Sequence, residues 1–93
     1  MAKYVVEMFG LPPDITELRE VEIELDDEPR LADIVAALRQ KVPALEGVVI
    51  HPGEDRLTDR YVFNINGQFF FDGREPHLQK GDRIVLLTLA TVG

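Results

Sequence analysis

The most constraining stretch of this sequence is Lys80-Gly81-Asp82-Arg83-Ile84-Val85-Leu86-Leu87-Thr88-Leu89-Ala90-Thr91-Val92-Gly93. It opens with a turn signal, Lys80-Gly81-Asp82, and continues as an apolar strand. Ile84, Leu86 and Thr88 fall on one face, and Val85, Leu87 and Leu89 on the other. A strand with apolar bulk on both faces is expected at the centre of a sheet, covered above and below or paired along both edges. Past Leu89 the residues become small, and the stretch closes on Gly93 without a charged anchor. Two readings follow. The tail is the frayed end of a core strand, or the Gly93 carboxylate is a working group on a slim thread that can enter another protein's active site.

The remainder of the chain supplies partners for that strand. Lys3 to Phe9 reads as a first strand, rich in Tyr, Val and Phe. Gly10-Leu11-Pro12-Pro13-Asp14 ends it, because adjacent prolines cannot donate ladder hydrogen bonds. From Arg19 to Leu25, Val21, Ile23 and Leu25 alternate with Glu20, Glu22 and Glu24, the pattern of a half-buried strand with an acidic outer face. That acidic row is a solvated face more often than a metal or partner site.

Asp26-Asp27-Glu28-Pro29 leads into a helix whose Leu31, Ile34, Val35, Leu38 and Val42 share one face. Pro29 suits its first turn, acidic residues precede it, and Arg39 and Lys41 sit near its other end, as the dipole favours. Pro43 stops it. Ala44 to Arg60 has no clear period. Leu45 and Val48-Val49-Ile50 are apolar enough to return to the core, and His51-Pro52-Gly53-Glu54-Asp55-Arg56 is a loop by composition. Tyr61 to Asn66 is a strand, Asn66-Gly67 a tight hairpin turn and Gln68 to Phe71 a short return. Asp72-Gly73 is a second turn, and Leu78 plugs the core ahead of the last strand.

Five strands at most and one main helix define an α+β roll. If the first and last strands are central neighbours, they run parallel with the helix across their face. That arrangement is the β-grasp, or ubiquitin-like, architecture, expected here as one domain over residues 1–93.

Composition narrows the function. The apolar share of 45% is that of a globular protein. Neither cysteine nor serine occurs, which removes disulfides, thiolate metal sites and both thiol and serine nucleophiles. The missing cysteine fits a reducing cytoplasm. No apolar run approaches a membrane span, so no membrane role is expected. The net charge of −7 makes nucleic acid an unsuitable partner and a basic protein surface a suitable one, although acidity also serves solubility alone.

Tyr61-Val62-Phe63-Asn64-Ile65-Asn66-Gly67 resembles the hairpin of the small β-grasp sulfur carriers. Leu78-Gln79-Lys80-Gly81-Asp82-Arg83-Ile84-Val85 resembles their Leu-x-x-Gly-Asp-x-Val turn into the last strand, and Leu31-Ala32-Asp33-Ile34-Val35 their helix start. The family includes the molybdopterin synthase small subunit, the thiamine sulfur carrier and the carrier of cysteine synthesis, and the resemblance spans essentially the whole chain. It implies a protein co-substrate and not an enzyme. A ubiquitin-activating-type adenylyltransferase would use ATP to adenylate the Gly93 carboxylate, and sulfur would then convert it to a thiocarboxylate. A sulfur-acceptor enzyme or synthase large subunit would receive the sulfur. No bound cofactor is implied. Ala90, Thr91 and Val92 would be the threading tail.

The family ends in Gly-Gly, whereas this sequence ends in Val92-Gly93. A roomier partner channel, a missing final glycine or a carrier role lost from a retained fold would each account for that, and the last makes a non-carrier binding module the alternative reading. Phe69 and Phe71 are candidate partner-surface residues, since a short strand cannot turn Phe69-Phe70-Phe71 all to the core. His51, Glu54, Asp55 and Asp59 match no standard ligand spacing, and His77 has no sequence partner, so polar surface is the expectation for both.

Overall fold

A computed structural model of the protein describes residues 2–10, 19–70 and 75–89. Five strands, β1 (Ala2–Phe9), β2 (Glu20–Leu25), β3 (Tyr61–Ile65), β4 (Gln68–Phe70) and β5 (Ile84–Thr88), form one mixed sheet in the order β2-β1-β5-β3-β4. The doubly apolar last strand is central, as its composition requires. It runs parallel to β1, with Val6 beside Ile84 and Met8 beside Leu86, and antiparallel to β3, with Phe63 beside Leu86. This is the expected β-grasp roll.

The helix α1 (Leu31–Lys41) lies across one face of the sheet. Its Ile34, Val35 and Leu38 meet Val6, Met8, Ile23, Phe63, Ile84 and Leu86 in the buried core. Strand alternation delivers those side chains: Val21, Ile23 and Leu25 are buried while Glu20, Glu22 and Glu24 are exposed. Burying a side chain of this size contributes roughly 1.5–3 kcal/mol. Asn66 (φ 53°) and Gly67 (φ 87°) make the β3–β4 turn, the left-handed pair that matches the twist of a hairpin. The Asn64 side chain accepts the Gly67 N–H at 3.0 Å.

Some expectations need correction. Pro29 lies outside the helix: Arg30 is the N-cap, and its N–H donates to the Asp33 carboxylate at 2.8 Å. The Leu31 N–H is met by the Glu75 carboxylate at 3.1 Å, from 44 residues away. That distant acceptor satisfies one of the orphan donors of the first turn, so proline need not occupy it. Pro43 does end α1 and begins a short 3-10 turn, Pro43–Leu45. Leu45, Val49 and Ile50 are fully buried, but Val48 is 44% exposed, because the turn between the Glu46 and Ile50 bridge positions points it outward. The turns expected at Leu11–Asp14 and Asp72-Gly73 lie outside the described residues.

Candidate functional site

The sheet has two unlike faces, and the end of β5 stands at one margin of both. On the face turned from α1, Val5 and Phe9 are exposed, Phe9 by 54%, and Val85 and Leu87 are half-buried. The register places Phe9 beside Leu87 and Glu7 beside Val85 across β1 and β5, whereas Val62, the β3 neighbour of Leu87, is buried. Glu20, Glu22 and Glu24 border these residues on β2, with Lys3 paired to Glu22 at 3.6 Å. Glu7 sits opposite Glu20 in register, and Arg83 Nη2 approaches Glu7 Oε2 at 2.7 Å. The hydrogen bond to Glu7 holds the Arg83 guanidinium above its usual pKa, with the charge of Glu7 adding to the effect. The face is thus an apolar strip with an acidic border, complementary to a partner carrying an apolar patch within basic residues.

Two donors at the end of β5 share one carbonyl. Thr88 is the one buried polar residue among the described residues, 7% exposed, and it lies beside Tyr61. Its hydroxyl donates to the Arg60 carbonyl at 3.2 Å, and the Leu89 N–H donates to the same oxygen at 2.7 Å. Arg60 precedes β3 in a tight turn closed by Tyr61 N–H to the Thr58 carbonyl at 3.1 Å. Thr58 is itself tied to the segment after the 3-10 turn: its N–H donates to Val49 O and its hydroxyl to Val48 O, each at 2.8 Å. A chain of bonds therefore runs from buried Val49 to Leu89, the last described residue. A groove of about 390 Å³ opens beside it, between Leu31 and Val35 of α1 and Leu57, Tyr61 and Leu89.

Gly93, Ala90, Thr91 and Val92, the residues expected to carry the chemistry and the threading, lie outside the described residues, as does Phe71. Phe69 is 40% exposed on β4, paired with Asn64, while Phe70 packs partly against the core. The polar loop is a clip. His51 Nδ1 lies 3.0 Å from Glu54 Oε2, and Arg56 Nη2 lies 3.1 Å from the same oxygen. Arg39 of α1 holds Asp55 at 2.5 Å, donates to the Glu54 carbonyl and contacts Glu46 at 2.7 Å. Asp59 lines the groove instead of joining His51. Among the described residues no group of three or more His, Cys, Asp or Glu is placed to hold a metal. His77 is exposed in the approach to Leu78. No helix among the described residues is long and apolar enough to cross a membrane.

From the sequence, Thr88 has only a strand position and Arg39 only a place near the helix end, and Arg60 has no role. A threonine in an apolar strand reads as a β-branched core residue, and a backbone acceptor 28 residues away leaves no mark in composition.

A five-stranded mixed sheet grasping one helix, with a central parallel pair, defines a ubiquitin-like protein. The ThiS family model matches residues 6–91, and the chain belongs to that family of sulfur-carrier-type proteins. Among solved structures, it is similar to small archaeal modifier protein 1 of Haloferax volcanii, at 23% identity and a TM-score of 0.76 over 94% of each chain. The corresponding protein of Methanosarcina acetivorans shares 25% identity at a TM-score of 0.71, over 100% of this chain and 98% of that one. A putative molybdopterin converting factor subunit 1 of Pyrococcus furiosus shares 20% at 0.67, over 95% and 98%. No curated protein matches the sequence significantly.

Proposed function

We propose that this chain is a sulfur carrier whose Gly93 carboxylate is activated by a partner enzyme. A carboxylate is a poor electrophile because its charge is shared over two oxygens. Attack of one oxygen on the α-phosphorus of ATP expels pyrophosphate and leaves an acyl-adenylate. A sulfide-level nucleophile then adds to the carbonyl carbon, AMP departs, and a thiocarboxylate remains. ATP belongs to the activating adenylyltransferase, and the carrier acts as its substrate with no catalytic group of its own. An acceptor enzyme takes the sulfur. The likeness to a putative molybdopterin converting factor subunit supports a synthase large subunit in that role, in cofactor biosynthesis of the molybdopterin or thiamine kind.

The observation that carries the reading is the ThiS family match over residues 6–91. The central strand of this chain ends at Thr88, and the Leu89 N–H is held by the Arg60 carbonyl. The apolar strip through Val5, Phe9 and Leu87 supplies a docking face for the activating enzyme, with Phe69 exposed on β4. Gly93→Trp tests the reading. In a carrier this variant folds normally and accepts no adenylate. The alternative, a binding module that works through its open face alone, predicts that Gly93→Trp is silent.

A further inference from the structure

The strongest unassigned feature is the buried hydroxyl of Thr88. The apolar core has no chemical use for a hydroxyl there, since valine would fill the same space in a strand. The hydroxyl instead shares the Arg60 carbonyl with the Leu89 N–H, filling both acceptor positions of one oxygen at 3.2 and 2.7 Å. That oxygen is held in turn by the Thr58–Tyr61 turn and by the bonds of Thr58 to Val48 and Val49. Leu89, the last described residue, is therefore held by a clasp built from three segments.

We propose that Thr88 is a positioning residue: with the Arg60 carbonyl it fixes Leu89, the point from which residues 90–93 continue toward the activating enzyme. The inference rests on the carrier reading and deepens it. Every residue released from the clasp lengthens the tether by about 3.5 Å. A longer tether spreads the terminus over more positions, and the activating enzyme must remove that freedom on binding. Once the tail is seated, the chemistry at Gly93 is unchanged. Loss of the clasp thus raises KM for the carrier and leaves kcat nearly constant.

The test compares full-length Thr88→Val and Thr88→Ser. Two readouts are used: steady-state adenylation by the host's activating enzyme with ATP, and hydrogen exchange of the Leu89 amide relative to the core Leu86 amide. Valine keeps the volume and removes the hydroxyl, whereas serine keeps the hydroxyl and removes a methyl. The clasp predicts an increase of about fivefold in KM and in relative Leu89 exchange for Thr88→Val, the equivalent of one net hydrogen bond. Thr88→Ser behaves like the parent. A packing role predicts the reverse order, with valine tolerated and serine harmful, and that result overturns the proposal. Unchanged KM and unchanged exchange in Thr88→Val overturn it as well. A parent chain that accepts no adenylate sinks the carrier reading, and Leu89 exchange alone then decides the clasp.

Discussion

Arg83 reaches across the parallel register of β5 and β1 to Glu7, Nη2 to Oε2 at 2.7 Å, and so sets a cation beside one of the two carboxylates that the β1–β2 register places opposite each other, Glu7 and Glu20. Like charges directly opposite one another destabilise a sheet, so the arginine counters a repulsion as well as forming a pair. Removing either partner therefore has unequal consequences. Arg83→Met leaves the two glutamates opposed and lowers the melting temperature at low salt. Glu7→Gln removes the pair and the repulsion together and is close to neutral. Salt on the order of 1 M, with a Debye length of about 3 Å, erases the difference. Thermal melts of both variants at two salt concentrations check this.

Gly67 is a position where backbone geometry resists substitution. Its φ of 87° lies in the left-handed region, and an added Cβ would meet no neighbouring atom within 4 Å. The cost of Gly67→Ala is therefore conformational strain without a steric clash, about 1–2 kcal/mol. For a chain of this size each kcal/mol lowers the melting temperature by about 4–8 °C. Urea denaturation with an unchanged slope and a lower midpoint would confirm it.

Arg39 holds the 46–55 segment against α1 through Glu46, Asp55 and the Glu54 carbonyl. The hydrogen bond to Asp55 is the largest influence raising its pKa, with the charges of Glu46 and Asp55 behind it and partial burial opposing. The sign follows directly. A cation whose folded pKa is raised contributes stability below its unfolded pKa and loses it only as pH climbs through the folded value. Deprotonation of this arginine therefore plays no part at neutral pH or in the moderately alkaline range. Arg39→Met should speed amide exchange at Gly53–Arg56 while leaving Ile84–Leu86 almost unaffected, as measured by hydrogen-exchange NMR.

Phe9 tests the open face. It is more than half exposed, so Phe9→Ser should leave the melting temperature nearly unchanged. If the strip it forms with Val5 and Leu87 docks the activating enzyme, the same change weakens that complex about tenfold, the usual loss for an apolar anchor. Titration calorimetry with the activating enzyme measures it. The acidic border adds a prediction that association slows as salt rises.

The fold was legible where the period was short and the chemistry local. Val21, Ile23 and Leu25 alternate with glutamates, and no other element explains that alternation. Asn66-Gly67 demands a left-handed turn, and Ile84–Thr88 is apolar on both faces because strands flank it on both sides. Legibility failed where a long-range acceptor decided the outcome. Glu75 meets the helix start from 44 residues away, so the helix begins after Pro29 and not on it. Val48, Val49 and Ile50 are equally apolar, and only the turn between Glu46 and Ile50 separates the outward Val48 from its buried neighbours. The candidate site divides in the same way. The terminal stretch stood out by its small residues, while Arg60 contributes a backbone carbonyl, a group every residue possesses.

The central claim is that Gly93 is the chemical centre of a sulfur carrier. Its most direct test is the intact mass of the chain isolated from its own host, with fragmentation of the C-terminal peptide. The account predicts a population in which sulfur replaces one carboxylate oxygen at Gly93, or in which the terminus carries an adenylate. A plain carboxylate that stays unchanged after incubation with the host's activating enzyme, ATP and a sulfur donor would contradict it, and would leave the open face through Phe9 and Leu87 as the working surface of a binding module.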